Sequence, residues 1–85
     1  MCSYVVEKTA LTGSAKAAGT WSPIDTAVVS VDHPFHAPVD HALMLDFTKA
    51  GRPVTERVAL ELSVASAREL IACMQTALDA FGEGA

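Results

Sequence analysis

All three histidines of the chain, His33, His36 and His41, lie in one stretch: Asp32-His33-Pro34-Phe35-His36-Ala37-Pro38-Val39-Asp40-His41. The spacing is His-x2-His-x4-His. Neutral imidazole is the commonest protein metal ligand, and three of them can hold an ion with a coordination position left open. Asp32 and Asp40 flank the set, where a carboxylate can orient an imidazole from behind or act as a general base. Pro34 and Pro38 push the residues before them toward extended or polyproline backbone. A polyproline period of three would put His33 and His36 on one side, about 9 Å apart along the axis. Fully extended, His33 to His41 would span roughly 27 Å, too far for one ion. A shared site therefore requires the chain to turn near Ala37-Pro38. The spacing matches neither His-Glu-x-x-His nor paired Cys-x-x-Cys, so the competing reading is a Pro-rich connection with exposed histidines.

Cys2 adds weight to the metal reading. One thiolate with three imidazoles suits zinc best, with iron, copper or nickel as alternatives. Removal of Met1 before so small a residue would put an amine and a thiol on one residue, a pair able to chelate a soft metal. The competing reading is a reduced thiol near a frayed end. The expected ligand set is Cys2, His33, His36 and His41, with Asp32 and Asp40 behind it or acting as bases.

Composition bounds what surrounds these residues. Eighty-five residues make one domain, residues 1–85, and 51% hydrophobic content is too high for general disorder. The net charge is −4, from six basic and ten acidic residues. The basic residues do not cluster, so nucleic acid and anionic membranes are disfavoured as partners. No apolar run is long enough to cross a bilayer and no signal peptide is visible, which points to the cytoplasm. Two cysteines, Cys2 and Cys73, are too few for a disulfide scaffold and are expected as thiols. A chain this short buries a limited core, and a homodimer is one way to enlarge it.

The elements that must position the histidines follow from alternation and periodicity. Strands are expected near 3–12, 24–32, 41–48 and 54–62, with a helix near 64–81. Tyr4, Val5, Val6 and Thr9 favour the first strand, and Val28, Val29 and Val31 the second. In the third, His41, Leu43, Leu45 and Phe47 face one way and Ala42, Met44, Asp46 and Thr48 the other. In the fourth, Val58, Leu60 and Leu62 face the core. Between the first two strands, Gly13 to Pro23 reads as a flexible loop; its Gly-Ser-Ala-Lys lacks the Gly-Lys-Ser/Thr of a phosphate loop. Trp21 reads as a lid on a small core. Ser63 and Ser66 compete as helix N-cap, because Ser66-x-x-Glu69 fits a capping box. Ala67, Leu70, Ile71, Met74, Ala77, Leu78 and Phe81 form one apolar stripe, with Cys73 beside it as a small buried thiol. Short connections then imply an α+β fold: a four-stranded antiparallel meander with one C-terminal helix packed on one face.

Met1-Cys2-Ser3-Tyr4, Gly13-Ser14-x-Lys16 with Trp21, and Asp32-His33-Pro34-x-His36-Ala37-Pro38-x-x-His41, with the strand–helix join from Val58 to Leu70, resemble a family of small actinobacterial proteins that has no established activity. The resemblance spans most of the chain. It implies that Cys2, His33, His36 and His41 belong together and implies no substrate. Three functions are therefore carried forward. The first is a small metalloprotein, open to enzymatic use. The second is a dimeric interaction module whose histidines are only exposed. The third is a metal-free enzyme or small-ligand binder using His33 or His36 with Asp32 or Asp40. No serine lies in a nucleophile-elbow pattern, which disfavours acyl transfer of that kind.

Overall fold

The computed structural model describes residues 5–52 and 57–82. Within them the chain forms β1 (Val5–Ala17), β2 (Thr20–Asp32), β3 (Ala42–Thr48), β4 (Val58–Ser63) and α1 (Val64–Phe81). The strands lie side by side in chain order, and every pairing is antiparallel. The α+β meander with a C-terminal helix is the architecture expected from alternation and short connections. The expected start of the fourth strand, at Val54, lies outside the described residues.

The segment from Gly13 to Pro23 is not a loop. Ala17 pairs with Thr20, and Ala18 and Gly19 make a two-residue turn with φ of 52° and 80°. Positive φ at both central residues matches the right-handed twist of the flanking strands. Gly13, Ser14 and Ala15 pair with Ile24, Pro23 and Ser22. Small side chains read as flexible when counted alone, but in register they simply extend the hairpin. Between Ala10, opposite Thr26, and Gly13, opposite Ile24, the register shifts, so Leu11 and Thr12 stand against Asp25 as a bulge. Pro23 is tolerated because β3 pairs β2 only from Thr26 onward, so at Pro23 β2 is an edge with a ladder on its β1 side alone. Trp21, expected as a lid, sits on this outlying ribbon 64% exposed.

Ala18 is the one described non-glycine residue with positive φ. The left-handed region costs an L-residue about 1–2 kcal/mol, partly offset in a glycine by greater unfolded-state freedom. Ala18→Gly is therefore expected to stabilise the protein by up to about 1 kcal/mol, or a few degrees of Tm at fixed protein concentration. A lower Tm in thermal unfolding would refute this turn geometry.

Register sorts the sheet into two faces. Val29, Leu45 and Leu60 are successive partners across three strands, as are Val31, Leu43 and Leu62, and this face is apolar. On the other, Ser30, Met44 and Glu61 align, as do Val28, Asp46 and Ala59. The buried hydrophobic residues among those described are Ala27, Ala42 and Ala67.

Helix α1 starts at Val64 with no residue between it and β4. Ser63 wins the competition for N-cap: its Oγ accepts from Ser66 N–H at 3.1 Å. The helix stops at Gly82, whose φ is 99° and whose N–H donates to Leu78 O at 3.0 Å. It meets the sheet at β3 and β4, and Ala67 is its buried residue. The apolar stripe was expected to lie along the sheet. Only its beginning does so, and Leu70, Ile71, Met74, Leu78 and Phe81 are exposed in the single chain. Cys73, expected as a buried thiol, is exposed with them. No described helix is long and apolar enough to cross a membrane.

Candidate functional site

The antiparallel return from β2 to β3 fixes the first part of the site. Val31 pairs with Leu43 and Asp32 with Ala42, so the next position outward brings His33 beside His41. Their rings stack with centroids 5.0 Å apart and planes 27° from parallel. Nδ1 of His33 lies 3.0 Å from the main-chain oxygen of Asp40. A carbonyl oxygen only accepts, so Nδ1 carries the proton and donates. In the neutral ring this assigns the lone pair to Nε2. Asp32 Oδ1 accepts from His33 N–H at 2.7 Å, closing the strand end as short acidic side chains commonly do. Asp40 thus supports His33 through its main chain, and Asp32 braces the His33 backbone.

The connection turns where a shared site required it to turn. Val39 N–H donates to Ala37 O at 2.9 Å across Pro38, a three-residue turn suited to proline's fixed φ. The segment before this turn is held by Glu61 of β4. Its carboxylate accepts from the N–H groups of Phe35 at 2.6 Å, His36 at 3.0 Å and Ala37 at 2.9 Å. Three successive amides aimed at one anion make a backbone concavity, here filled by the protein's own side chain. The bonds from Phe35 and Ala37, followed by that from His36 and the field of its ring, hold the Glu61 carboxyl below the usual glutamate range.

His36 consequently stands with Glu61, away from the His33–His41 pair in its supporting contacts. It lines a cleft of about 780 Å³ with Phe35, Met44, Asp46, Arg57 and Glu61. Asp46 Oδ1 is buried and faces Arg57 Nε at 3.4 Å, a charge contact outside hydrogen-bond geometry. Among the described residues no three His, Cys, Asp or Glu side chains come together as a set able to hold a metal ion. The structure joins two of the three histidines and places the third elsewhere. Cys2 lies outside the described residues.

A second carboxylate pins the far end of the sheet. Asp25, opposite the β1 bulge, accepts from Ala50 N–H at 3.2 Å and pairs with Lys49 Nζ at 3.3 Å, tying down the turn after β3. Its carboxyl is lowered from the usual range, first by the Thr26 hydroxyl and then, against the opposing effect of desolvation, by the Ala50 amide and Lys49. Neither Glu61 nor Asp25 was singled out by sequence reasoning. Glu61 reads as an outward charge between Leu60 and Leu62. The available signal was in its partners: Phe35, His36 and Ala37 lie between two prolines, and their three N–H groups need acceptors.

The chain matches the profile of the family of unknown function DUF6295 over residues 1–85, and it belongs to that family. Comparisons with curated proteins and with solved structures returned no match.

Proposed function

We propose that this DUF6295 chain is a small metal-binding module whose ligands are His33, His41 and Cys2, with zinc the favoured ion. The observation that carries the reading is the His33–His41 pair, in which Nδ1 of His33 is committed to a main-chain carbonyl. Histidines that ligate a metal characteristically donate their other ring N–H to such a group, which fixes the tautomer and aims the remaining nitrogen. A second observation concerns the chain's start. Val5 pairs with Val31, so β1 begins at the rim where β2 ends and β3 starts. Cys2 precedes Val5 by three residues, and three residues of chain reach at most about 10 Å. A thiolate and two imidazoles form a zinc donor set with an open position for water or a substrate, so the reading extends to a metalloenzyme. His36 is left out of the set because its segment is clamped by Glu61. Iron, copper and nickel compete for the same donors. A cytoplasmic setting fits a ligand thiol that must stay reduced. The resemblance to small actinobacterial proteins points the same way, since it groups Cys2 with the histidines.

The test is zinc titration of untagged protein against a chromogenic chelator, with cobalt as a spectroscopic substitute. One ion per chain with micromolar or tighter affinity is expected. Cobalt should show thiolate charge-transfer absorption that disappears in Cys2→Ser. An affinity weaker than about 100 μM, or a cobalt spectrum indifferent to Cys2→Ser, would defeat the assignment.

The cleft beside Glu61 supports a second reading as a small-ligand site. His36, Arg57 and Asp46 line it, and it is large enough for a small molecule. Ligand-detected NMR against small anions and polar metabolites distinguishes the two: under this reading, binding survives His41→Ala and is lost in Arg57→Ala.

A further inference from the structure

We infer that the chain is one half of a homodimer in which α1 of each copy lies across the apolar sheet face of the other. The single chain exposes 6379 Å². A compact monomer of 8.9 kDa should expose about 4,800 Å². The excess, about 1,600 Å² per chain, corresponds to an interface of roughly 3,200 Å² when two copies meet, within the range of permanent homodimers. The radius of gyration is 14.2 Å, against about 12 Å for a compact domain of this length. The surplus area is therefore a matter of shape as well as of surface roughness.

Two surfaces account for it, and each is what the other lacks. The sheet offers Val29, Leu45 and Leu60 in one row, all of them intermediate or exposed. The helix offers Ile71, Met74 and Leu78, which are 64%, 56% and 54% exposed. Within one chain the two do not meet, because β4 runs into α1 without a connecting residue. A strand and the helix that folds back over it are commonly joined by about two to six residues, which give the chain room to reverse direction. With none, the helix leaves the sheet after its first turn, and the surface able to cover its stripe belongs to another molecule. A second copy is the economical occupant: a two-fold axis matches helix to sheet twice, so both exposed surfaces are covered by one contact type. Nothing larger than alanine is buried among the described hydrophobic residues, so the core of this fold is made between copies. By alternation His41 continues this face beyond Leu43; the inferred interface uses neither His33 nor His41 as a contact and is tested without metal.

Two measurements on the full chain decide it. Sedimentation equilibrium at 5 and 100 μM should give twice the 8.9 kDa chain mass. Isotope-filtered NOE spectroscopy on labelled and unlabelled chains, mixed and refolded together, should show contacts between molecules from Ile71 and Leu78 methyls to Leu45 and Leu60 methyls. A monomer at 100 μM overturns the inference. So does a dimer in which those methyl contacts arise within one chain or are absent. Ile71→Glu should weaken dimerisation by at least 100-fold or prevent folding, and a folded dimer of unchanged affinity would count against the interface.

Discussion

Replacing His41 with alanine is expected to weaken zinc binding by at least about 100-fold while leaving the sheet intact. His41 precedes β3 and is exposed, so its loss removes a ring and no core contact. Its partner His33 would keep its bond to the Asp40 carbonyl, and one imidazole with one thiolate would remain. Loss of a supporting group behind a ligand typically costs 10–100-fold in affinity, and loss of a ligand itself costs more. His36→Ala provides the contrast. It removes a ring that stands with Glu61, and the expected change in zinc affinity is less than about threefold. Competition titration of both variants at pH 7.5 is the measurement; equal losses would put His36 in the site and refute the division of the histidines. Because ligation competes with protonation, affinity should also fall steeply below about pH 6.

The second large effect is expected from Glu61→Ala. Its carboxylate is the acceptor for three consecutive amides, and alanine leaves them to water. Hydrogen exchange at Phe35, His36 and Ala37 should accelerate by orders of magnitude, while that at the centre of β2 and β3 changes little. The connection between His33 and His41 would lose its anchor, and zinc affinity should fall about 10-fold through poorer preorganisation. Glu61→Gln should lie between, since an amide keeps one accepting oxygen and its nitrogen cannot accept. Unchanged amide exchange in Glu61→Ala would show that the segment is held by something else.

The pH dependence of this clamp has a definite sign. The folded Glu61 carboxyl sits below its ordinary value of 4.5, so the folded state favours the ionised form. Its contribution is complete above the ordinary value and is lost as the pH falls through the folded one. Asp25 behaves alike from its ordinary value of 3.8. Amide protection at Phe35 to Ala37 should therefore be flat through neutrality and decline only in acid, below the pH range where zinc is released. Two separated transitions on acid titration are expected, metal first and loop second.

Local chemistry alone determined much of this. Alternation in Leu43, Leu45 and Phe47, and in Val58, Leu60 and Leu62, placed two strands and their faces, since a period of two has one solution on a pleated sheet. The stripe from Ala67 to Phe81 placed the helix, and proline chemistry at Pro38 placed the turn within the histidine stretch. What sequence reading could not supply was register. Gly13 to Pro23 became strand because its two halves pair with each other across a two-residue turn, a property of pairs that no single residue carries. Register likewise set His33 beside His41, while the three amides before Pro38 found their acceptor twenty-four or more positions away in Glu61. Which acceptor satisfies a buried or crowded amide depends on what the fold brings near, whereas the need for one is written in the chain. The helix shows the same division. Its apolar stripe is a property of periodicity, but the direction in which it leaves β4 is set by a junction with no spare residue, and that decided that the stripe would not find its cover on its own sheet.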